Sequence, residues 1–305
     1  MFTTAMISIA MATYNGAKYI KEQIDSILAQ TIPDFELVVC DDCSIDDTFR
    51  LLEEYAQRDK RIKVYRNEKR LGFKDNFAKA LSLCSYEFVA MSDQDDVWTK
   101  NHLEVLIDAM SGTTQVTCGE ALMVDEKGNS LGFTHSHLYY MDCVPNDDVN
   151  MARHIILFRG SFQGASMLMR RSFVERALPI PDGITYHDSW ISALACFSGG
   201  FKFIDDIVTF HRKHPSEVTC SHKRIMKLRV ILGAMLREKS MCERNIYIKN
   251  IVDRIKLTEN QIKLINKMEK IIQRRHSLFG RMANLPYLVR YARNIYTIDI
   301  KKLLQ

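Results

Sequence analysis

The sequence predicts an α/β fold: a mostly parallel central sheet flanked by helices over residues 1–214, then a basic helical region over residues 215–305. Three observations predict it. Apolar runs of strand length alternate with segments of helical spacing through about the first 110 residues. Acidic residues recur where the strand-like runs end. The charge then changes sign: residues 1–214 hold 22 Lys/Arg and 30 Asp/Glu, a net of −8, whereas residues 215–305 hold 20 and 7, a net of +13.

Each element follows from its spacing. Met6–Ala12 fits a buried strand, and Thr13-Tyr14-Asn15-Gly16 breaks it as a turn. Tyr19–Gln30 is helical, with Ile20, Ile24, Ile27 and Leu28 on one side. Phe35–Cys40 is the next strand and ends at Asp41-Asp42. A helix over Asp46–Arg58, a strand over Ile62–Arg66 and a helix over Phe73–Leu83 follow. Tyr86–Met91 is a fourth strand, ending at Ser92-Asp93, and Lys100–Met110 returns as helix. Such alternation builds βαβ units, and their ligands bind beyond the carboxyl ends of the strands. Asn15, Asp41, Asp42, Asp93 and Asp95 all fall at such ends.

The rhythm changes after Gly112. Gln115–Val124 reads as a strand with a turn at Glu126–Asn129, residues 134–150 as loop, Ala165–Met169 as strand, Ser189–Phe197 as helix and Phe201–Phe210 as strand. In the basic region Ile248, Ile251, Ile255, Ile262, Ile265 and Ile272, with Thr258 filling one step, predict one long amphipathic helix. Ala283–Ile298 mixes Tyr287, Tyr291 and Tyr296 with Arg290 and Arg293.

A chain of 305 residues, 47% hydrophobic and 26% charged, suits one large globular domain with an appendage. Its eight cysteines lack the spacing of a disulfide framework or a zinc site, and Cys40-x-x-Cys43 reads as coincidence. They point to a reducing compartment. Met1–Ala5 lacks a signal-peptide pattern, and no apolar run reaches the ~18 residues of a membrane span. The expectation is a cytoplasmic protein, with peripheral contact at the inner membrane face. The basic region fits three roles: a helical appendage packed on residues 1–214, an interfacial contact with anionic lipid, or a homodimer seam through the Ile stripe. No nucleic-acid-binding motif is present, so nucleic acid is not an expected partner.

Asp93-Gln94-Asp95 places two carboxylates after an apolar strand. They can share a hard divalent cation with substrate phosphates, or simply cap the helix that follows. Their neighbours carry a resemblance. Ile7–Gly16, Phe35–Ser44 and Ser92-Asp93-Gln94-Asp95-Asp96-Val97-Trp98, in this order and spacing, resemble the family 2 glycosyltransferases with the GT-A nucleotide-diphospho-sugar fold. The resemblance covers about residues 6–214.

It implies a role for each matching residue. Ala12, Thr13, Tyr14 and Asn15 lie against the nucleotide, Asp42 bonds the base, Asp93 faces the ribose or the metal shell, and Asp95 ligates Mn²⁺ or Mg²⁺. Asp188, in Tyr186-His187-Asp188-Ser189-Trp190, matches the base that takes the acceptor proton; the alternative is an ordinary helix N-cap, and an Asp can do both. Trp190 is a candidate for stacking on a sugar or for core packing. Phe210-His211-Arg212-Lys213-His214 is similar to the family's Tyr-Arg-x-His stretch. This makes His214 a metal or diphosphate contact and Arg212 a diphosphate contact, against the alternative of surface residues closing a strand. Gly164-Ala165-Ser166 resembles a segment where backbone nears the substrate, or marks a tightly packed strand start. The chain departs from the family at Ala12, usually Pro, and at Cys43, often Gly.

The resemblance therefore implies an inverting transfer from a nucleotide-diphospho-sugar to a glycan or lipid-linked glycan acceptor in surface polysaccharide synthesis. The Ser92–Trp98 stretch looks most like rhamnosyltransferase-type members, which puts dTDP-rhamnose first and UDP-hexoses second. The competing readings are a non-catalytic nucleotide-sugar-binding protein and a metal-dependent sugar nucleotidyltransferase. The absence of a Gly-rich phosphate loop weighs against the latter.

Overall fold

The computed structural model describes residues 6–138, 147–158, 162–214 and 238–273. The Ala283–Ile298 stretch lies outside them.

The first half forms as its spacing predicts. β1 (Ile7–Thr13), α1 (Ile20–Leu28), β2 (Phe35–Asp41), α2 (Thr48–Arg58), β3 (Ile62–Arg66), α3 (Phe73–Leu83) and β4 (Phe88–Ser92) alternate. β1 pairs in parallel with β2 and β4, and β2 with β3. Every residue of β2 is buried, as expected of a parallel strand covered on both faces. α2 starts two residues later than the spacing implies: the Asp46 carboxylate accepts the Thr48 N–H at 3.0 Å in a turn ahead of the helix, and Asp47 takes the capping position without a side-chain bond.

The second half is mixed. β5 (Val97–Trp98), α4 (His102–Asp108), β6 (Val116–Val124), β7 (Ser130–Thr134), α5 (His135–Leu138), α6 (Asp148–Phe158), a 3₁₀ turn (Gly164–Ser166), β8 (Met167–Arg170), α7 (Arg171–Ala177), α8 (His187–Phe197) and β9 (Phe201–Arg212) follow. The strands join one sheet in the order β3-β2-β1-β4-β8-β6-β9-β5, with β7 on β6. β8 is antiparallel to both β4 and β6, and β6 is parallel to β9. The start of β8 therefore lies at the carboxyl end of β4, and the ends of β6 and β9 project beyond the same edge. Residues 134–150, expected as loop, contain α5 and the start of α6. Met151, Ala152, Ile155 and Ile156 bury the inner face of α6.

Two cores sandwich the sheet. One face packs Ile20, Ile24 and Ile27 of α1, Leu51 and Leu52 of α2, and Leu103, Leu106 and Ile107 of α4 against Ile7, Ile9, Met11, Leu37 and Val39. The other packs α3, α6, α7 and α8 against Ala10, Val38, Val89 and Met91.

The C-terminal region joins that second core. The single long helix expected from the Ile stripe is two helices, α9 (Glu238–Arg254) and α10 (Glu259–Gln273). Thr258 and Gln261 form the break: the Thr258 N–H donates to Gln261 Oε1 at 2.7 Å, and the Gln261 N–H donates to Thr258 Oγ1 at 3.4 Å. This reciprocal pair is a capping box that starts a new helix. Arg254 then donates to the carbonyls of Ala177 and Pro179, each at 2.7 Å, which docks the end of α9 on the end of α7. Ile248, Ile251, Ile265 and Ile272 are buried within the chain against this core, whereas Ile262 is 45% exposed. Among the described residues most of the stripe is thus occupied internally, with Val252 and Ile262 left exposed.

Ile251 is fully buried. Replacing it by Ala should lower unfolding stability by about 2–5 kcal/mol, the range for large-to-small changes in a core that relaxes only partly. A urea titration measures it. A loss below about 0.5 kcal/mol, ordinary for a surface site, would show that α9 is not part of the folded core.

Candidate active site at the carboxyl edge of the sheet

The turn after β1 is fixed by groups from two other strand ends. Thr13 Oγ1 donates to Asp41 at 3.2 Å. The Asn15 N–H donates to Ser44 Oγ, and Asn15 Oδ1 accepts the Ile45 N–H, both at 2.9 Å. Asn15 needs these bonds because its φ of 49° lies in the left-handed region. Gln94, the middle residue of Asp93-Gln94-Asp95, grips Tyr14 twice: its Oε1 accepts the Tyr14 N–H at 2.9 Å and its Nε2 donates to the Tyr14 carbonyl at 3.1 Å. A Cβ on Gly16 would press on the Gln94 amide, so any larger residue there makes that side chain move. Ala12 sits half-buried at the end of β1, packed against the core.

At the end of β2, Asp41 and Asp42 are buried and shape the loops around them. Asp41 accepts the Ser44 N–H at 3.0 Å. Asp42 accepts Asn67 Nδ2 at 2.8 Å and the Leu71 and Gly72 N–H groups at 2.7 and 2.8 Å. The carboxylate expected on the base is therefore committed to the 67–72 loop, and that loop carries Arg70, whose guanidinium lies 3.9 Å over the Tyr14 ring. Sequence reasoning missed Arg70; its one cue was a basic pair just after β3. Cys43 has φ of 62°, which explains why glycine is frequent there in similar chains. Cys40 and Cys43 are both free thiols.

The 92–98 loop brings three aspartates together with different surroundings. Burial, with the carboxylates of Asp96, Asp95 and Asp188 nearby, pushes the Asp93 carboxyl well above the usual range, and His211 opposes this. Asp96 is buried and works structurally: it accepts Gln163 Nε2 at 2.6 Å, the Arg212 N–H at 3.2 Å and the His211 ring at 2.9 Å. Burial alone would lower the His211 pKa, but the Asp96 carboxylate outweighs it and lifts it to about 8. Asp95 keeps 20% of its side chain exposed, and its Oδ2 is 2.9 Å from Nε2 of His214.

Arg212 lies under this loop. It is 4% exposed and donates from Nε to the Asp95 carbonyl at 3.0 Å, from Nη1 to the Glu126 carbonyl at 2.8 Å and from Nη2 to Glu22 at 2.6 Å. The arginine expected at a diphosphate has its fork committed to protein groups instead.

The second half of the chain reaches the same edge through α8. Asp188 is the second residue of α8, and the capping position is Tyr186, without a side-chain bond. Asp188 is thus not the cap that composition allowed. A Cβ on Gly164 would stand 3.4 Å from the Asp188 Cβ and 3.2 Å from both Met91 Cε and His187 Nε2, so Gly164 is the thin wall between β4 and α8. His187, buried and stacked on Phe77 at 4.3 Å, is held below the usual histidine range by burial, against the pull of Asp188. Trp190 is fully buried and donates to the Ala177 carbonyl at 2.9 Å; it belongs to the core.

Among the described residues no three metal-ligating side chains close around one point. The donor set fits a cation that takes one or two protein ligands and completes its shell with phosphate oxygens. Asp95 and His214 supply an adjacent oxygen and nitrogen, and the raised proton affinity of Asp93 records local negative charge that a cation would relieve.

A curled sheet of this order, with carboxylates at its carboxyl edge, is a fold of the GT-A type. The sequence profile described as glycosyl transferase family 2 matches residues 8–176, and the chain belongs to that family. Over 106 residues it is 42% identical to the UDP-Glc:alpha-D-GlcNAc-diphosphoundecaprenol beta-1,3-glucosyltransferase WfgD of Escherichia coli, covering 34% of this chain and 41% of that protein. It is 27% identical over 202 residues to the uncharacterized glycosyltransferase MJ1057 of Methanocaldococcus jannaschii, 65% of this chain and 67% of that one. The chain thus spans about two fifths of the length of some curated relatives it matches. In structure it resembles Staphylococcus aureus TarS 1–349 in complex with UDP-GlcNAc, with TM-score 0.60 and 20% identity over 96% of this chain and 82% of that one. It also resembles the Pyrobaculum calidifontis mannosyltransferase PcManGT in complex with GDP-Man and Mn²⁺, with TM-score 0.57 and 15% identity over 97% and 89%.

Gly16→Ala should push Gln94 off Tyr14 and open the turn after β1. The expected cost is about 1–3 kcal/mol of stability together with weakened nucleotide binding. Calorimetry with UDP or dTDP checks it, and an Ala variant that binds as tightly as the parent would remove Gln94 from the argument.

Proposed function

We propose that this chain is a metal-dependent, inverting glycosyltransferase that moves a hexose from a pyrimidine nucleoside-diphospho-sugar to a glycan acceptor, carried on a lipid, in surface polysaccharide synthesis. The observation that supports this most is the meeting of Asp93, Asp95 and Asp188 at one edge, from segments more than 90 residues apart in sequence. A UDP-hexose leads as donor, in keeping with the name of WfgD, and dTDP-rhamnose is its competitor. The lipid-linked acceptor rests on the same relative.

The residues divide the work. The Ala12–Asn15 turn, Asp42 with its loop, and Arg70 against Tyr14 hold the nucleoside. Asp95 and His214 hold Mn²⁺ or Mg²⁺, with Asp93 behind them, and the bound cation supplies the positive charge that the departing diphosphate needs. Asp188, beside Gly164, takes the proton from the acceptor hydroxyl as that oxygen attacks the anomeric carbon. One base suffices for attack from one face, so the configuration inverts without a covalent intermediate.

No described helix is long and apolar enough to cross a membrane. Lys249 on α9, Lys256 between the helices, and Lys263 and Lys270 on α10 are exposed, which supports a peripheral contact with anionic lipid. Co-sedimentation with phosphatidylglycerol vesicles, lost at high salt and absent with phosphatidylcholine, is the expected result; equal binding to both would remove the electrostatic reading.

The reaction is tested by a thermal-shift panel of UDP-glucose, UDP-galactose, UDP-N-acetylglucosamine, dTDP-rhamnose and GDP-mannose, each with Mn²⁺, Mg²⁺ or EDTA. One donor should stabilise the protein only with metal. Asp95→Ala should lose that stabilisation. Asp188→Ala should keep it while turnover falls by about 10²–10⁴-fold, the range for removing a general base. Donor stabilisation that persists in Asp95→Ala would overturn the metal assignment, and full turnover by Asp188→Ala would overturn the base.

A further inference from the structure

Arg212 stands at the crossing of segments far apart in sequence. Its guanidinium joins α1 through Glu22, the β6–β7 turn through the Glu126 carbonyl, and the 92–98 loop through the Asp95 carbonyl. Its own N–H donates to Asp96. Tyr19 completes the arrangement. Its ring centroid is 5.1 Å from the Arg212 guanidinium and 4.8 Å from the His214 ring, and its hydroxyl donates to Glu126 Oε1 at 2.8 Å. Lys18 also pairs with the Glu126 carboxylate. The turn is thus tied to α1 by its side chain and to Arg212 by its carbonyl.

We propose that Arg212, with Glu22, Tyr19 and Glu126, is a positioning bracket that holds Asp95 and His214 in the geometry of a cation-binding pair, and that it does not contact the diphosphate. This rests on the metal reading given above. The physical reason is satisfaction of a buried cation. A guanidinium that is 4% exposed must keep its hydrogen bonds, and reaching a ligand would mean giving up the Asp95 carbonyl, the Glu126 carbonyl and Glu22. Its planar fork fixes the angles between those acceptors, which the single ammonium of lysine cannot do. The Asp95 carbonyl is therefore held from below, while Tyr19 packs against His214 on the other arm of the pair. Groups that orient metal ligands in this way commonly carry about 10–100-fold in metal affinity.

The test separates metal from nucleotide. Mn²⁺ uptake is followed by loss of the free-ion EPR signal at saturating UDP or dTDP, and binding of the same nucleotide is measured by calorimetry in EDTA. Arg212→Lys should weaken Mn²⁺ uptake by about 10–100-fold and leave metal-free nucleotide binding unchanged. Glu22→Gln, at a carboxylate that is 59% exposed, should fold normally and shift Mn²⁺ uptake in the same direction by less; it decides the matter if the lysine variant does not fold. Normal Mn²⁺ uptake with weakened metal-free nucleotide binding would make Arg212 a diphosphate contact and overturn the bracket, as would no change in either measurement. The metal reading fails separately, and takes the bracket with it, if Asp95→Ala takes up Mn²⁺ as well as the parent chain.

Discussion

Carboxylates gathered at one edge of a sheet repel one another, and much of this structure holds them there against that repulsion. Burial, together with the carboxylates of Asp96, Asp95 and Asp188, raises the proton affinity of Asp93. The surrounding groups answer each in a different way. Asp96 is neutralised and bonded by His211, Gln163 and the Arg212 backbone. Asp95 is steadied through its carbonyl by Arg212 and paired at its carboxylate with His214. Asp93 answers with a raised pKa, which His211 only partly offsets. The residual negative charge is one that a cation at this edge would relieve.

The same edge depends on small residues where segments pass closely. Gly16 allows Gln94 to join the β1 turn to the 92–98 loop, and Gly164 allows α8 to approach β4. Side-chain amides rather than charges do the joining at Tyr14. An amide pair brings no further charge to a site already crowded with it. Behind the edge, α9 and α10 fill the core that α6 and α8 share, so the basic region contributes to the packing on which α8, and hence Asp188, rests.

Much of this was legible in the residues alone. The alternation of β1 through α4, the strand ends at Asp41 and Ser92, and the turn after β6 all follow from local period and turn chemistry. Other elements did not announce themselves. β5 is two residues long and exists only because β9 is beside it. α6 carries a good apolar face but begins in a polar segment, and the stretch before it read as loop. The Ile stripe of the basic region kept its spacing through Thr258, so periodicity alone joined two helices that the capping box Thr258–Gln261 divides. That signal was in the sequence and outranks period at a helix boundary.

The sequence by itself determined the class of fold, the family and the set of carboxylates, because strand and helix periods and short motifs are local properties. Only the tertiary structure decided what each charged group does. Asp42 turned inward to its loop, Arg212 became a strut, and Asp188 left the capping position to stand beside Gly164. Those outcomes follow from the pairings of β8 with β4 and of β9 with β6, which bring residues from the two halves of the chain into contact. A buried charged side chain takes whichever partners such pairings supply, and no local pattern states in advance which they will be.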